Sequence, residues 1–151
     1  MKNFLRFLLF LYLAFLLRLT VFREGIFTFP LFSHGSCNFS LFSDLLRIYH
    51  NSPKRFCYLF FGNIFTFLPF GFLVLPLLTN KKRGQAFFMT LACGFFLSLC
   101  IELAQWVFGV GVSELDDLLL NTFGVFLGEL AVLPFTRRNS SERSARAENR
   151  S

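Results

Sequence analysis

From Ala86 to Phe108 the chain reads AFFMTLACGFFLSLCIELAQWVF, with Glu102 its single charged residue. An α-helix needs ~20 mostly apolar residues to cross the hydrocarbon core of a bilayer, and this run supplies them. Three more runs of the same kind flank it, at Phe4–Phe22, Phe56–Thr79 and Glu114–Phe135. Composition agrees: 54% of the 151 residues are hydrophobic, 25 are Phe, and only 16% are charged, where soluble domains carry roughly a quarter. A water-soluble core of this size could not hide so much apolar surface.

The expected fold is therefore all-α, a polytopic membrane domain of four transmembrane helices over residues 1–135. Residues 136–151, rich in Ser, Arg, Glu and Asn, are expected to form a basic, disordered cytoplasmic tail. A signal peptide is the alternative for the first run, because Lys2 precedes it. Arg6 and Arg18 interrupt that run and no small-residue cleavage site follows, so a retained helix is preferred.

Net charge is +6, and the basic residues are clustered. Beside apolar spans, such clusters mark the cytoplasmic side more often than a nucleic-acid interface; no nucleic-acid partner is expected. With the N-terminus inside, the cytoplasmic segments hold Lys2, Arg6, the Lys81-Lys82-Arg83 knot and Arg137, Arg138, Arg143, Arg146 and Arg150. Outside fall Arg23, Arg47, Lys54 and Arg55, and none in the short loop Gly109–Ser113. The asymmetry predicts both termini in the cytoplasm, with Lys54 and Arg55 as counter-evidence.

In the long outer loop, Phe39, Phe42, Leu45, Leu46 and Tyr49 recur near helical spacing between Ser40, Ser43, Asp44 and Arg47. A short helix lying in the outer interface fits the pattern; a loop packing its apolar side chains on the helix ends is the alternative. His34 and His50 fall in this loop as solvated or interfacial residues. Cys37 and Cys57 lie in or near it, where a disulfide is open, and the cysteine spacings match no metal site.

Polar side chains inside a span cost a few kcal/mol each and need partners. In the third span Gly94, Ser98, Glu102 and Gln105 share one face at about 100° per residue. In the fourth, Asp117, Asn121, Gly124 and Gly128 do the same. Asn63 lies near the outer end of the second. At about 1.5 Å per residue, Asn63, Glu102 and Asn121 all sit roughly 10 Å in from the outer ends, with Arg18 a little shallower. Convergence at one depth predicts an outward-facing pocket lined by Asn63, Glu102, Gln105, Asp117, Asn121 and Arg18, with Arg18 as counter-ion to Glu102 or Asp117. The bland alternative is interhelical glue.

Four readings are structural. Gly124 and Gly128 form a small-xxx-small packing pair. Ser113 and Asp116 fit a capping box at the start of the fourth helix, and Glu114, Asp116 and Asp117 suit its dipole. Pro69 frees the Phe65 carbonyl and should kink the second helix, with Gly71 easing the bend.

These residues also carry a family likeness. The run Gly62-Asn63-Ile64-Phe65-Thr66-Phe67-Leu68-Pro69-Phe70-Gly71-Phe72 resembles the second-helix motif of the VanZ-like family. So do Ile101-Glu102-Leu103-Ala104-Gln105 and Leu115-Asp116-Asp117-Leu118-Leu119-Leu120-Asn121-Thr122-Phe123-Gly124 with Gly128. The likeness covers about residues 38 to 130. Asn38-Phe39-Ser40-Leu41-Phe42 is similar to the family's Asn-Leu-x-Pro-Phe segment with Leu41 in place of proline. Many members carry an arginine before the Asp-Asp pair, and Gly109–Ser113 has none.

The family is named for a membrane protein associated with low-level teicoplanin resistance. The resemblance implies a role in the bacterial cell envelope, modulating access of glycopeptide or lipopeptide agents. A membrane lipid or lipid-linked cell-wall precursor is the expected partner, with no cofactor and no metal. An intramembrane enzyme using Glu102 and Asp117 as acid and base, or as cation ligands, is the alternative. No nucleophile–base pair stands out to support it. A proton relay would use Glu102, but Phe70, Leu73, Val74 and Leu91 offer no polar continuation inward.

Overall fold

A computed structural model describes residues 2–22, 36–38, 40–78, 81–110 and 112–148, and of 137–148 the backbone alone. Arg23, His34, Phe39, Thr79 and Gly111, which figure in the readings above, lie outside the described residues, as do the side chains of the tail arginines. Among the described residues, four helices are long and apolar enough to cross a membrane: Lys2–Thr20, Pro53–Leu78, Arg83–Phe108 and Leu115–Thr136. The elements run α1 (Lys2–Thr20), β1 (Cys37–Asn38), α2 (Ser43–Asn51), α3 (Pro53–Val74), a 3₁₀ turn at Leu75–Leu78, α4 (Arg83–Phe108), β2 (Ser113–Glu114) and α5 (Leu115–Glu148).

Element ends follow local chemistry. Pro53 opens α3, where a missing N–H costs nothing. Pro76 cannot continue the α-helical ladder, and the chain tightens into the 3₁₀ turn there. Helix α4 stops at Gly109, whose φ of 62° is left-handed; the N–H of Val110 returns to the Gln105 carbonyl and that of Gly109 to Trp106, a Schellman closure. Helix α3 runs through Pro69 to Val74. One residue past the Phe65 carbonyl that Pro69 leaves without its helical donor, the Thr66 carbonyl accepts the Tyr12 hydroxyl of α1 at 2.8 Å.

The long loop contains the short amphipathic helix that its periodicity predicts. Leu45 faces inward while Leu46 and Tyr49 are exposed, and α2 packs on α3. His50 is exposed at its end. All four cysteines are free, Cys37 and Cys57 included. The α5 backbone continues beyond the apolar span to Glu148. Glu142, Arg143, Ala145, Arg146, Ala147 and Glu148 are good helix formers, so a polar composition here is compatible with a helix that simply leaves the apolar span behind.

Helix α5 is the centre of the bundle, lying against both α3 and α4. Its contact with α3 is backbone to backbone. A Cβ at Gly124 would strike the Ile64 carbonyl and one at Gly128 the Leu68 carbonyl, while a Cβ on Gly71 of α3 would strike the Val125 carbonyl. Both helices step four residues together, as parallel neighbours should. Gly71, read from sequence as easing a bend, therefore serves close approach. Helix α1 is peripheral and buries only Leu16 fully, in a cluster with Val21, Phe67, Phe70, Ile101 and Val125.

Candidate functional site

The predicted faces are the packed faces. On α4, Gly94, Ser98 and Glu102 are buried, and on α5, Asn121, Gly124 and Gly128 are buried. The two faces meet as a ladder: Asn121 Nδ2 donates to Ser98 Oγ at 2.9 Å, and Gly94 admits the Val125 side chain one step further along.

The remaining polar groups pair across different helices. Asn63 of α3 donates to Asp117 Oδ1 at 2.5 Å. Gln105 of α4 donates to the Thr20 carbonyl at the end of α1 at 3.3 Å. These contacts are those of interhelical glue, because lipid offers no alternative partner. The single pocket expected for all six residues is therefore corrected: the Asn63–Asp117 bond joins α3 to α5, Gln105 joins α4 to the end of α1, and Asn121 joins α5 to α4. Arg18 is corrected too. It lies exposed on α1 and gives its guanidinium to the Phe22 carbonyl at 2.5 Å, while Glu102 and Asp117 accept from other donors.

Glu102 lines a cavity of about 440 Å³ between the end of α4 and the start of α5, whose lining includes none of the other five. Its walls are apolar, from Leu99, Leu103 and Trp106 of α4 and Leu115 and Leu118 of α5; Cys37, Asn38, Ser113 and Glu114 form its polar rim. Glu102 is 5% exposed, and its Oε2 accepts the backbone N–H of Glu114 at 2.9 Å. Glu102, Glu114 and Asp117 are close enough to feel one another's charge. Burial raises the Glu114 carboxyl above its ordinary range, with Asp116 and Asp44 reinforcing the shift and Arg55 opposing it.

The rim is built by the long loop. Strands β1 and β2 pair in parallel, Cys37 opposite Ser113 and Asn38 opposite Glu114, and the Ser113 N–H reaches the Ser36 carbonyl at 3.0 Å. Asn38 donates to Asp44 Oδ2 at 2.5 Å, and Arg47 pairs with Asp44 at 2.9 Å. The capping box is corrected here: Ser113 belongs to β2 and the groove rim, and Asp116 Oδ1 accepts the Phe42 N–H at the start of α2. Consecutive helical residues point about 100° apart, so Asp116 holds the loop while Asp117 holds α3.

Sequence reasoning missed two features. Trp106, the chain's only Trp, is a wall of the groove. Glu129 of α5 is fully buried with neither carboxylate oxygen hydrogen-bonded. It stands two helical steps beyond Asn121, level with the equally buried Thr90 of α4, so the inner halves of the helices are not purely apolar. Its spacing from Asn121 and its place in an apolar run were the available signals. Among the described residues, no three of His, Cys, Asp and Glu gather as a metal site.

No solved structure matches the chain. Over 66 residues it is 35% identical to Protein VanZ of Enterococcus faecium, a match covering 44% of this chain and 38% of that protein; the matched part is thus well under half of the relative's length. The VanZ/LLP1 family model matches residues 6–136, taking in most of the first span and all of the other three, the glycine contact between α3 and α5, and both walls of the groove. This multi-pass membrane protein belongs to the VanZ/LLP1 family.

Proposed function

We propose that the protein modulates the susceptibility of the bacterial envelope to teicoplanin-type glycopeptides and lipopeptides, and that its groove at Glu102 takes an envelope lipid or lipid-linked cell-wall precursor. The observation that carries the reading is the groove itself. A cavity of about 440 Å³ falls in the range of small-molecule sites, which are mostly apolar with a few placed polar groups. Here the placed group is a carboxyl buried in a membrane span, a costly feature that marks function by default. Family membership supports the envelope role.

The basic knot Lys81-Lys82-Arg83 lies at the opposite end of α4 from Glu102. By the positive-inside rule the knot is cytoplasmic, and the groove opens in the outer half of the membrane with both termini inside. From that side it meets lipids and precursors where antibiotics act on them.

The test compares a deletion strain, wild type and Glu102→Ala for teicoplanin susceptibility and envelope-lipid composition, with membrane abundance of the variant checked. Deletion should raise susceptibility, and Glu102→Ala should reproduce it at normal abundance. A deletion that leaves both susceptibility and lipids unchanged overturns the reading. Reporter fusions at Arg83 and Gly109 fix the orientation.

A further inference from the structure

We infer that the ligand of the Glu102 groove is an amphiphile with a cationic, amine or quaternary ammonium head. The inference rests on the reading of the groove as a lipid or precursor site and names the chemistry it selects.

Two parts of the groove argue for two parts of the ligand. Leu99, Leu103, Leu115 and Leu118 make one apolar wall, and Leu103 is 49% exposed, so on this side the groove opens toward the surface that the span presents to lipid. A hydrocarbon chain can enter there from the bilayer without passing through water. The other end is acidic. Glu102 and Glu114 both line it, and among the described residues the charges acting on Glu102 are those of Asp117 and Glu114, all of one sign. Arg55, itself exposed, offsets part of the field at Glu114. Apolar walls keep such a field unscreened, so a phosphate or sulfate head is repelled and an ammonium attracted. Trp106 adds an aromatic wall of the kind that receives ammonium groups.

Trp106 also supplies the measurement, because it is the only Trp of the chain. The full-length protein is placed in nanodiscs of uncharged lipid and titrated with a brominated alkyltrimethylammonium, and Trp106 fluorescence quenching is followed. Brominated alkyl sulfate and alkyl glucoside of equal chain length are run in parallel. The expected result is a saturable component with the cationic probe alone, weakened about tenfold by Glu102→Gln. Because Glu102 also receives the Glu114 N–H, Glu114→Gln, which keeps that backbone donor, is a second variant with the same expected direction.

Saturable quenching by all three probes, unchanged by either variant, overturns the cationic preference while leaving a groove that holds amphiphiles. Absence of a saturable component with every probe overturns the groove as a binding site, and with it the reading beneath.

Discussion

The backbone N–H of Phe42 donates to Asp116 Oδ1 at 2.9 Å across 74 residues of chain. Phe42 is also the one non-glycine residue among those described with a positive φ, 56°, a conformation that costs a bulky side chain of order 1–3 kcal/mol. Asp116 is 2% exposed, so its carboxylate is the fixed acceptor against which the start of α2 is held. Asp116→Ala leaves a part-buried N–H without a partner, a loss of about 1–3 kcal/mol. The loop should then open: trypsin cleavage at Arg47, Lys54 and Arg55 should accelerate in the purified protein. Asp116→Asn keeps an acceptor oxygen and should lose less than half as much protection. Equal cleavage of Asp116→Ala and wild type would contradict the anchoring role.

Asn63 and Asp117 bind α3 to α5 side chain to side chain. Polar contacts between membrane helices are worth about 0.6 kcal/mol on average and at most about 1.7. A double-mutant cycle of Asn63→Ala and Asp117→Ala, read by unfolding in mixed micelles, should give a coupling within that range. A cycle closing at zero would mean that each residue acts through some other neighbour.

The α3–α5 contact makes a sharper prediction about glycine. Gly71→Ala and Gly128→Ala each place a methyl on a backbone carbonyl of the facing helix; neither helix can yield without parting, so the loss should reach about 3 kcal/mol or more. Gly62, on the same α3, has nothing within reach of an added Cβ. Gly62→Ala should therefore be neutral or gain up to about 1 kcal/mol from helix propensity. Thermal unfolding of the three variants side by side decides the matter, and a destabilising Gly62→Ala would sink the steric account.

How much of this was legible in the sequence differs by length scale. The four spans, the α2 helix and the packed faces of α4 and α5 could be read because lipid leaves a chain few options: apolar length sets the spans, and 3.6-residue periodicity sets the faces. Shared depth was legible as well, and it misled. Asn63, Glu102 and Asn121 share a depth by count along their helices, but depth does not fix the direction of a side chain around its helix. Asn63 turns to Asp117 and Asn121 to Ser98, and of the three only Glu102 lines the groove between α4 and α5. The Asp116–Phe42 contact was out of reach, since nothing local to Leu115–Leu118 tells of a loop 74 residues away. Phe42 and Asp116 both lie in stretches that resemble family segments, and the likeness does not join them.

Glu114 sits outside the spans, and its raised carboxyl gives a pH dependence with a definite sign. Desolvation is the main cause, and the charges of Asp116 and Asp44 act in the same direction against Arg55. Folding therefore favours the protonated form. Its contribution is fully present below the ordinary glutamate value of 4.5 and is lost as pH rises through the raised folded value. Glu114→Gln, which stays neutral, should escape that loss. The gain in melting temperature of Glu114→Gln over wild type should grow from below pH 4.5 toward neutrality. A gain that is constant with pH would show that Glu114 does not carry the dependence.

Glu129 poses the opposite problem, a carboxyl with no visible reward for its burial. Both of its oxygens lack a hydrogen-bond donor, and Thr90, level with it on α4, spends its hydroxyl on the Ala86 carbonyl at 3.0 Å. A Cβ on Gly71 would also crowd the Glu129 backbone nitrogen, so the α3 side is sealed by close packing. An unpartnered buried polar group costs about 1–3 kcal/mol or more, and replacing it with an apolar side chain of similar size removes that cost. Glu129→Met should therefore raise the unfolding temperature in nanodiscs, whereas Glu129→Ala should lower it by leaving a cavity. Stability retained for the sake of packing alone would leave teicoplanin susceptibility of a Glu129→Met strain at the wild-type level. If Glu129→Met is instead the less stable protein, the carboxyl has a partner that its surroundings in this structure do not supply.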